Sequence, residues 1–199
     1  MLTLAINTSS FTESVALFTK EKILGEIKWR GASDETEKLL QTIMRLFKNS
    51  KKKIGDLKRI IVVNGPGPFS ALRIGVTTAN ILSFCLKIPI YSIDTQTLWR
   101  LRSPEKNAVL LLHAGGNFVA INNKISKITD IIGGTLYGDL TPDEYNCLNK
   151  LKKDTFQFIP EHRLKSVAET IFNVKSSLLK KEKSIAPKYW KPPNITRPK

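Results

Sequence analysis

The hydrophobic pattern at the start of the chain predicts strands followed by an amphipathic helix. Short apolar runs alternate with turn residues, which is typical of strands joined by tight turns. The predicted strands span residues 2–7, 14–18 and 23–29. Their short connections favour an antiparallel meander. A helix is predicted over 35–47, because apolar residues recur there at helical spacing and because Asp34 or Ser33 would cap its first turn.

A longer helix is predicted over 69–86, and it is apolar on most sides. Small residues recur at every fourth position along it, which would allow another helix to approach its backbone closely. These small residues are Ala71, Gly75, Ala79 and Ser83. The pattern leaves two interpretations open. Either a partner chain covers the helix, or the helix lies between a sheet and a second helix of its own chain.

A glycine-proline corner, NGPGPFSALRIG over 64–75, joins a predicted strand at 58–64 to this helix. Gly65 and Gly67 permit backbone angles that other residues avoid, and Pro66 and Pro68 fix φ near the value that a helix entry needs. The free N–H groups of the helix would suit a phosphate. The spacing matches neither the dinucleotide-binding fingerprint nor the P-loop, so the pattern favours a structural corner.

The second half of the chain repeats the order of the first in a shorter form. Before the repeat, a strand is predicted over 88–93, a helix over 95–101 capped by Asp94, and a polar linker over 102–107. The predicted strands of the second half are 108–112, 118–122, 125–132, 135–137 and 156–159, and its helices are 141–151 and 163–179. We therefore expect an N-terminal lobe at 1–101, a reduced second lobe at 102–185 and an extended basic tail at 186–199.

Composition adds a strong positive charge to this arrangement. The chain has 199 residues and a formal net charge of +15, with much of the excess in its last quarter. Basic surfaces attract nucleic acid by releasing counterions, so a tRNA-binding module is one hypothesis. A solvated surface explains the same charge, since aromatic residues that would stack on bases do not interleave with the lysines.

Cysteine usage and hydropathy favour a cytoplasmic protein. Cys85 and Cys147 have neither metal-ligand spacing nor the spacing of a disulfide framework, which favours a reducing compartment. Thr77, Thr78 and Asn80 interrupt the most apolar stretch, so no membrane span is expected. The first residues run directly into a strand without a basic leader, so no signal peptide is expected.

The order of elements matches an α/β fold of the actin-like ATPase type, with two duplicated lobes. In that fold a carboxylate near the first strand of each lobe positions a metal ion. Asn7 and His113 occupy the places where those carboxylates are expected. An amide and an imidazole are poor ligands for hard cations, so we expect no metal, no cofactor and weak or absent nucleotide binding. His162 lacks ligand neighbours, and the serines near Glu13 lack the base that a hydrolase needs.

Three segments resemble the TsaB (YeaZ) family, the non-catalytic partners of the TsaD ATPase. They are LAINTSSFTESVAL at the start, NGPGPFSALRIGVTTAN at the corner and PKYWKPPNITRPK in the tail, in order across nearly the whole chain. The usual family string is close to GPGSFTGLRIG. Pro68, Ser70 and Ala71 depart from it, whereas residues 73–75 match.

The resemblance implies a scaffold subunit. It implies an actin-like (ASKHA) fold with a reduced second lobe, and a role in making threonylcarbamoyladenosine on tRNA by binding and activating TsaD, with TsaE as a further member of the complex. Two N-terminal helices form the family's TsaD-binding surface, and their apolar strip predicts a homodimer when TsaD is absent. The expected interface residues are Leu39, Leu40, Ile43, Met44, Phe47, Phe69, Ala71, Leu72, Arg73, Gly75, Val76, Ala79, Leu82 and Ser83. The alternatives are an actin-like nucleotide-binding enzyme and a basic tRNA-binding module.

Overall fold

The computed structural model describes residues 1–31, 34–151 and 155–191, and its first lobe is built on a six-stranded mixed sheet. The strands of this sheet are β1 (Leu2–Asn7), β2 (Thr12–Phe18), β3 (Ile23–Arg30), β4 (Leu57–Val63), β5 (Ile90–Ile93) and β11 (Lys180–Glu182). Their order across the sheet is β11-β5-β4-β1-β2-β3. The first three strands pair antiparallel, which confirms the predicted meander, and β4 and β5 continue the sheet in parallel with β1.

Helices cover both faces of the first sheet. On one face lie α1 (Glu35–Asn49) and α2 (Phe69–Leu86), and on the other lie α3 (Thr95–Arg102) and α5 (Val167–Phe172). Successive strand residues point to opposite faces, so alternate residues of β1 serve two cores. Leu4 and Ile6 pack under α1 and α2, whereas Ala5 packs with α3 and α5.

The second lobe repeats the pairing of the first with fewer helices. Its strands are β6 (Val109–His113), β7 (Phe118–Ile121), β8 (Lys124–Lys127), β9 (Gly134–Asp139) and β10 (Phe156–Phe158), and its helix is α4 (Pro142–Leu151). The strands β6, β7 and β8 form an antiparallel meander, and β9 and β10 pair in parallel beside β6. A short 3-10 turn, Ile128–Asp130, stands where the first lobe has α1. The lobe is therefore a reduced duplicate of the first, as predicted.

The glycine-proline corner is a packing element of the first lobe. A Cβ at Gly67 would collide with the backbone of Ser9, and Gly65 adopts a φ of +99° against the carbonyl of Lys188. The Gly65 carbonyl accepts a hydrogen bond from the Thr95 amide at 2.9 Å. Both glycines are needed because backbone from other segments comes this close.

The elements near the end of the chain differ from the predicted ones. The helix expected over 163–179 is limited to α5, which begins at the Ser166 N-cap and ends at Asn173. The chain then turns back and adds β11 to the edge of β5, a strand that the sequence did not predict. The second lobe therefore does not extend to residue 185, because α5 and β11 pack on the first sheet.

The structure also describes residues at the ends of the predicted linker and of α1. Arg102, the first residue of the predicted linker at 102–107, is the last residue of α3 and is buried. Its Nε donates a hydrogen bond to the Lys165 carbonyl at 2.9 Å. Asp34 occupies the N-cap position of α1, but its side chain makes no capping hydrogen bond. Ser33 and the tail beyond residue 191 lie outside the described residues.

Candidate partner-binding surface

Helix α1 buries one side against the sheet and exposes apolar residues on the other. Leu39, Ile43 and Phe47 are buried in the core of the first lobe. Leu40 and Met44, one helical turn apart on the opposite side, are 52% and 57% exposed. Large apolar side chains this exposed on one helix face are typical of an interaction site.

Helix α2 exposes a matching stripe beside α1. Ile81 is 56% exposed and Phe84 is 84% exposed, whereas Leu72 and Val76 are buried on the inner side. The helix packs against α1, so the outward sides of the two helices adjoin. We call this surface the exposed α1–α2 face, and its members are Leu40, Met44, Phe69, Arg73, Ile81 and Phe84.

A shallow groove of about 420 Å³ runs along the N-terminal half of α2 within this face. The groove is lined by Phe69, Ser70, Arg73, Ile74, Thr77 and Thr78. Arg73 is the one charged residue among them. Its guanidinium carbon lies 5.3 Å from the centroid of the Phe69 ring, and that ring lies 4.7 Å from the ring of Tyr189.

The C-terminal segment fixes Tyr189 in this position. The Asn80 side chain exchanges two hydrogen bonds with the backbone of Ile185, at 2.8 and 2.9 Å. The Lys188 amide donates to the Asn64 carbonyl at 2.7 Å. The described part of the predicted tail is therefore bound to α2 and to the corner rather than solvated along its length.

The small-residue strip does not lie on the exposed α1–α2 face, and this corrects the predicted interface. A Cβ at Gly75 would collide with the side chain of Thr8, so the strip lets α2 approach the β1–β2 turn of its own subunit. The predicted interface residues that are buried inside the subunit are Leu39, Ile43, Phe47, Ala71, Leu72, Gly75, Val76, Ala79 and Ser83. Those left accessible are Leu40, Met44, Phe69, Arg73 and the half-buried Leu82.

At the strand ends where the fold would carry metal-binding carboxylates, the side chains of Asn7 and His113 contact polar groups of their own subunit. The Asn7 Oδ1 accepts from the Ser9 amide at 3.2 Å and from the Ser9 hydroxyl at 2.8 Å. The His113 Nδ1 lies 2.8 Å from the Glu144 Oε1. Within residues 1–31, 34–151 and 155–191, no group of three or more His, Cys, Asp or Glu residues is arranged to hold a metal. This donor set does not fit the Mg²⁺ of an actin-like ATPase.

A cleft of about 630 Å³ lies between the lobes, next to these strand ends. Its lining includes the rings of Phe69, Phe118 and Trp190, together with His113 and Lys191, and none of the described residues that line it carries a carboxylate. Nearby, the Asp139 carboxylate accepts a hydrogen bond from the Phe11 amide at 2.9 Å. Burial raises the pKa of Asp139 to about 7, which further weakens it as a cation ligand.

A buried pair of glutamates underlies the start of α1, and the sequence pattern did not reveal it. Glu13 is 1% exposed and faces Glu35, the first residue of α1. Burial, with the neighbouring Glu35 carboxylate as the second cause, raises the pKa of Glu13 to about 9. The signal was a glutamate near the start of a strand whose remaining residues, from Val15 to Phe18, are apolar.

The family of the chain follows from a sequence model described as TsaD, tRNA N6-adenosine threonylcarbamoyltransferase, which matches residues 30–178. The chain belongs to this family. The match spans both lobes and includes both helices of the exposed α1–α2 face. The actin-like α/β fold predicted from the order of elements is confirmed.

Curated relatives are similar to parts of the chain. The tRNA threonylcarbamoyladenosine biosynthesis protein TsaB of Buchnera aphidicola subsp. Schizaphis graminum is 34% identical over 130 residues, which cover 63% of this chain and 57% of that protein. TsaB of Bacillus subtilis is 30% identical over 95 residues, 48% of this chain and 42% of that protein. The chain thus spans about half the length of the curated relatives that it matches.

Solved structures share the fold. YeaZ from Pseudomonas aeruginosa superimposes with a TM-score of 0.65 at 13% identity, covering 86% of this chain and 89% of that one. Among the curated sequences, which are compared without a structure, a tRNA N6-adenosine threonylcarbamoyltransferase of Nitrosospira multiformis is 31% identical over 165 residues, 72% of this chain and 46% of that protein. The predicted resemblance to TsaB (YeaZ) is confirmed.

Helix α2 is long and apolar enough to cross a membrane by length and composition alone. The sequence pattern predicted no span because Thr77, Thr78 and Asn80 interrupt the helix, and these residues alone do not take it below that criterion. In the structure, however, the helix packs on β4 and β1, and its Asn80 binds the C-terminal segment. Those contacts are those of a helix in the core of a folded lobe.

Proposed function

We propose that this chain is a non-catalytic subunit in the biosynthesis of threonylcarbamoyladenosine on tRNA, and that it binds and activates a TsaD-type transferase through the exposed α1–α2 face. The observation that carries the proposal is the pair of adjoining helices with large apolar side chains in solvent. The assignment to this pathway is supported by a relative named as a tRNA threonylcarbamoyladenosine biosynthesis protein and by the match to the TsaD family model.

The geometry favours helix-on-helix docking. Two adjacent helices present ridges at helical spacing, and a second pair of helices packs into such ridges at an interaxial distance of about 8–10 Å. Burial of apolar area contributes about 25 cal/mol per Å², and exposed anchors such as Phe84 and Met44 would supply most of it. Activation follows if this docking holds TsaD in its productive arrangement.

A non-catalytic role is supported by the chemistry of the strand ends. Asn7 and His113 are engaged in internal hydrogen bonds, and neither supplies the carboxylate that a metal-dependent phosphoryl transfer needs. In this proposal TsaD holds the metal and carries out the transfer. The complex works in the cytoplasm with TsaE, and tRNA contacts TsaD or the basic C-terminal quarter of this chain.

A homodimer forms through the same face when TsaD is absent. The exposed side chains are apolar on both copies, so self-association hides them from water. Light scattering at micromolar concentration is expected to report a dimer, and a monomer would contradict this part of the proposal.

The test of the proposal is a pair of substitutions on the face with a matched control. Met44→Asp and Phe84→Asp place charges where apolar anchors are expected, so each should weaken TsaD binding by about 10-fold or more. Ile132→Asp is the control, because Ile132 is 85% exposed but lies in the second lobe. Binding is measured by calorimetry, and threonylcarbamoyl transfer to tRNA is measured with the same variants.

The outcomes separate the proposal from its alternatives. Loss of binding and of transfer for the two face variants, with Ile132→Asp unchanged, supports it. Wild-type affinity for TsaD in both face variants contradicts it. If this chain had a nucleotide site of its own, the isolated chain would bind nucleotide tightly without TsaD. That result would also contradict a non-catalytic role.

A further inference from the structure

Arg73 is the single charged residue in the eighteen residues of α2, and it stands in the groove of the exposed α1–α2 face. Its side chain is exposed, yet it is held over the Phe69 ring at 5.3 Å. None of the ion pairs found among the described residues includes Arg73. An arginine fixed on an aromatic ring without a carboxylate beside it is ready to accept one.

Within the described residues, the groove around Arg73 contains no carboxylate. The other residues that line its groove are uncharged. On the neighbouring helix α1, Glu37, Arg45 and Lys48 are exposed, and Lys38 pairs with Asp34. A partner with a carboxylate opposite Arg73 would therefore meet a positive charge that no groove residue balances.

We propose that Arg73 binds a carboxylate carried by a helix of the partner that docks on the exposed α1–α2 face. The inference rests on the proposed function, because it names the chemistry of the partner at the same surface. The guanidinium offers two parallel donors to a carboxylate, so the pair is geometrically specific. Docking removes water from the groove, which strengthens the pair relative to one in solvent.

The first experiment measures TsaD binding by calorimetry for three variants of the full chain. Arg73→Glu is expected to weaken binding ~30-fold or more, because it places two carboxylates together. Arg73→Lys keeps the charge but loses the paired donors, so it is expected to lose about 3- to 10-fold. Lys175→Glu is the control, because it changes the net charge by the same amount as Arg73→Glu. Lys175 is exposed and follows α5, on the opposite side of the first sheet.

The second experiment tests the pair itself. Acidic residues on the TsaD surface are changed to Lys one at a time, and one of these variants is expected to restore tight binding to Arg73→Glu while weakening binding to the wild type. If Arg73→Glu does not fold, as judged by circular dichroism, Arg73→Gln replaces it. Wild-type binding should weaken with salt, and the Arg73→Gln variant should show a smaller salt dependence.

The results distinguish this inference from the proposed function. If Arg73→Glu binds TsaD as the wild type does, or loses no more than Lys175→Glu, the inference is wrong. If Met44→Asp still weakens binding about 10-fold or more in that case, the proposed function stands without the inference. If neither Met44→Asp nor Arg73→Glu affects binding, both are wrong. Failure of every TsaD substitution to rescue Arg73→Glu also contradicts the inference.

Discussion

At the scale of single residues, the buried Glu13 makes stability depend on pH. The unfolded chain releases this proton near the ordinary pKa of 4.5, whereas the folded chain retains it up to about 9. The folded state therefore binds more protons across this interval. The contribution of Glu13 to stability is fully present below pH 4.5 and is lost as pH rises towards 9. The cause is burial of the carboxyl group beside Glu35.

Glu13→Gln is expected to remove this dependence. The amide is isosteric with the protonated acid and carries no charge, so the variant should be more stable than the wild type at pH 8, by about 1–3 kcal/mol. At pH 4 the two proteins should be close in stability. Urea unfolding at both pH values measures the difference, and a wild type that is the more stable protein at pH 8 would show that Glu13 is ionised without cost.

At the scale of elements, α2 shows what the sequence can and cannot predict. Its bounds, Phe69 to Leu86, were predicted correctly because the proline corner and the apolar run define them. Which side faces inward was not predictable, since small residues serve a partner helix and a sheet equally well. The contact between Gly75 and Thr8 decides the question, and it joins segments far apart in the chain.

This placement of α2 predicts the effect of adding one methyl group to its inner side. Gly75→Ala should destabilise the protein by about 1–3 kcal/mol, because the new Cβ overlaps the Thr8 side chain and the helix must shift. Thr77→Ala on the exposed side of the same helix is the control, with an expected change below about 0.5 kcal/mol. Thermal unfolding measures both. Equal effects would mean that Gly75 does not pack inside the subunit.

At the scale of the whole molecule, the duplication of the lobes was predictable, whereas the return of the chain to the first sheet as β11 was not. Each lobe opens with a three-stranded meander and continues with parallel strands, an order that the hydrophobic pattern carries. The strand β11 is Lys-Lys-Glu, which has no strand pattern, and it forms because the edge of β5 accepts it. The exposed α1–α2 face was predicted in part, since Leu40 and Met44 were named but Ile81 and Phe84 were not.

TsaD is proposed to bind the exposed α1–α2 face, and a native cysteine next to Phe84 allows that face to be probed directly. Cys85 is exposed and follows Phe84 on α2, whereas Cys147 lies half-buried on α4 in the second lobe. The most direct measurement is the rate of maleimide labelling at each cysteine with and without saturating TsaD. We expect TsaD to slow labelling of Cys85 about 10-fold or more while leaving Cys147 unchanged. If Cys85 is labelled at the same rate when the complex has formed, TsaD does not bind at the exposed α1–α2 face.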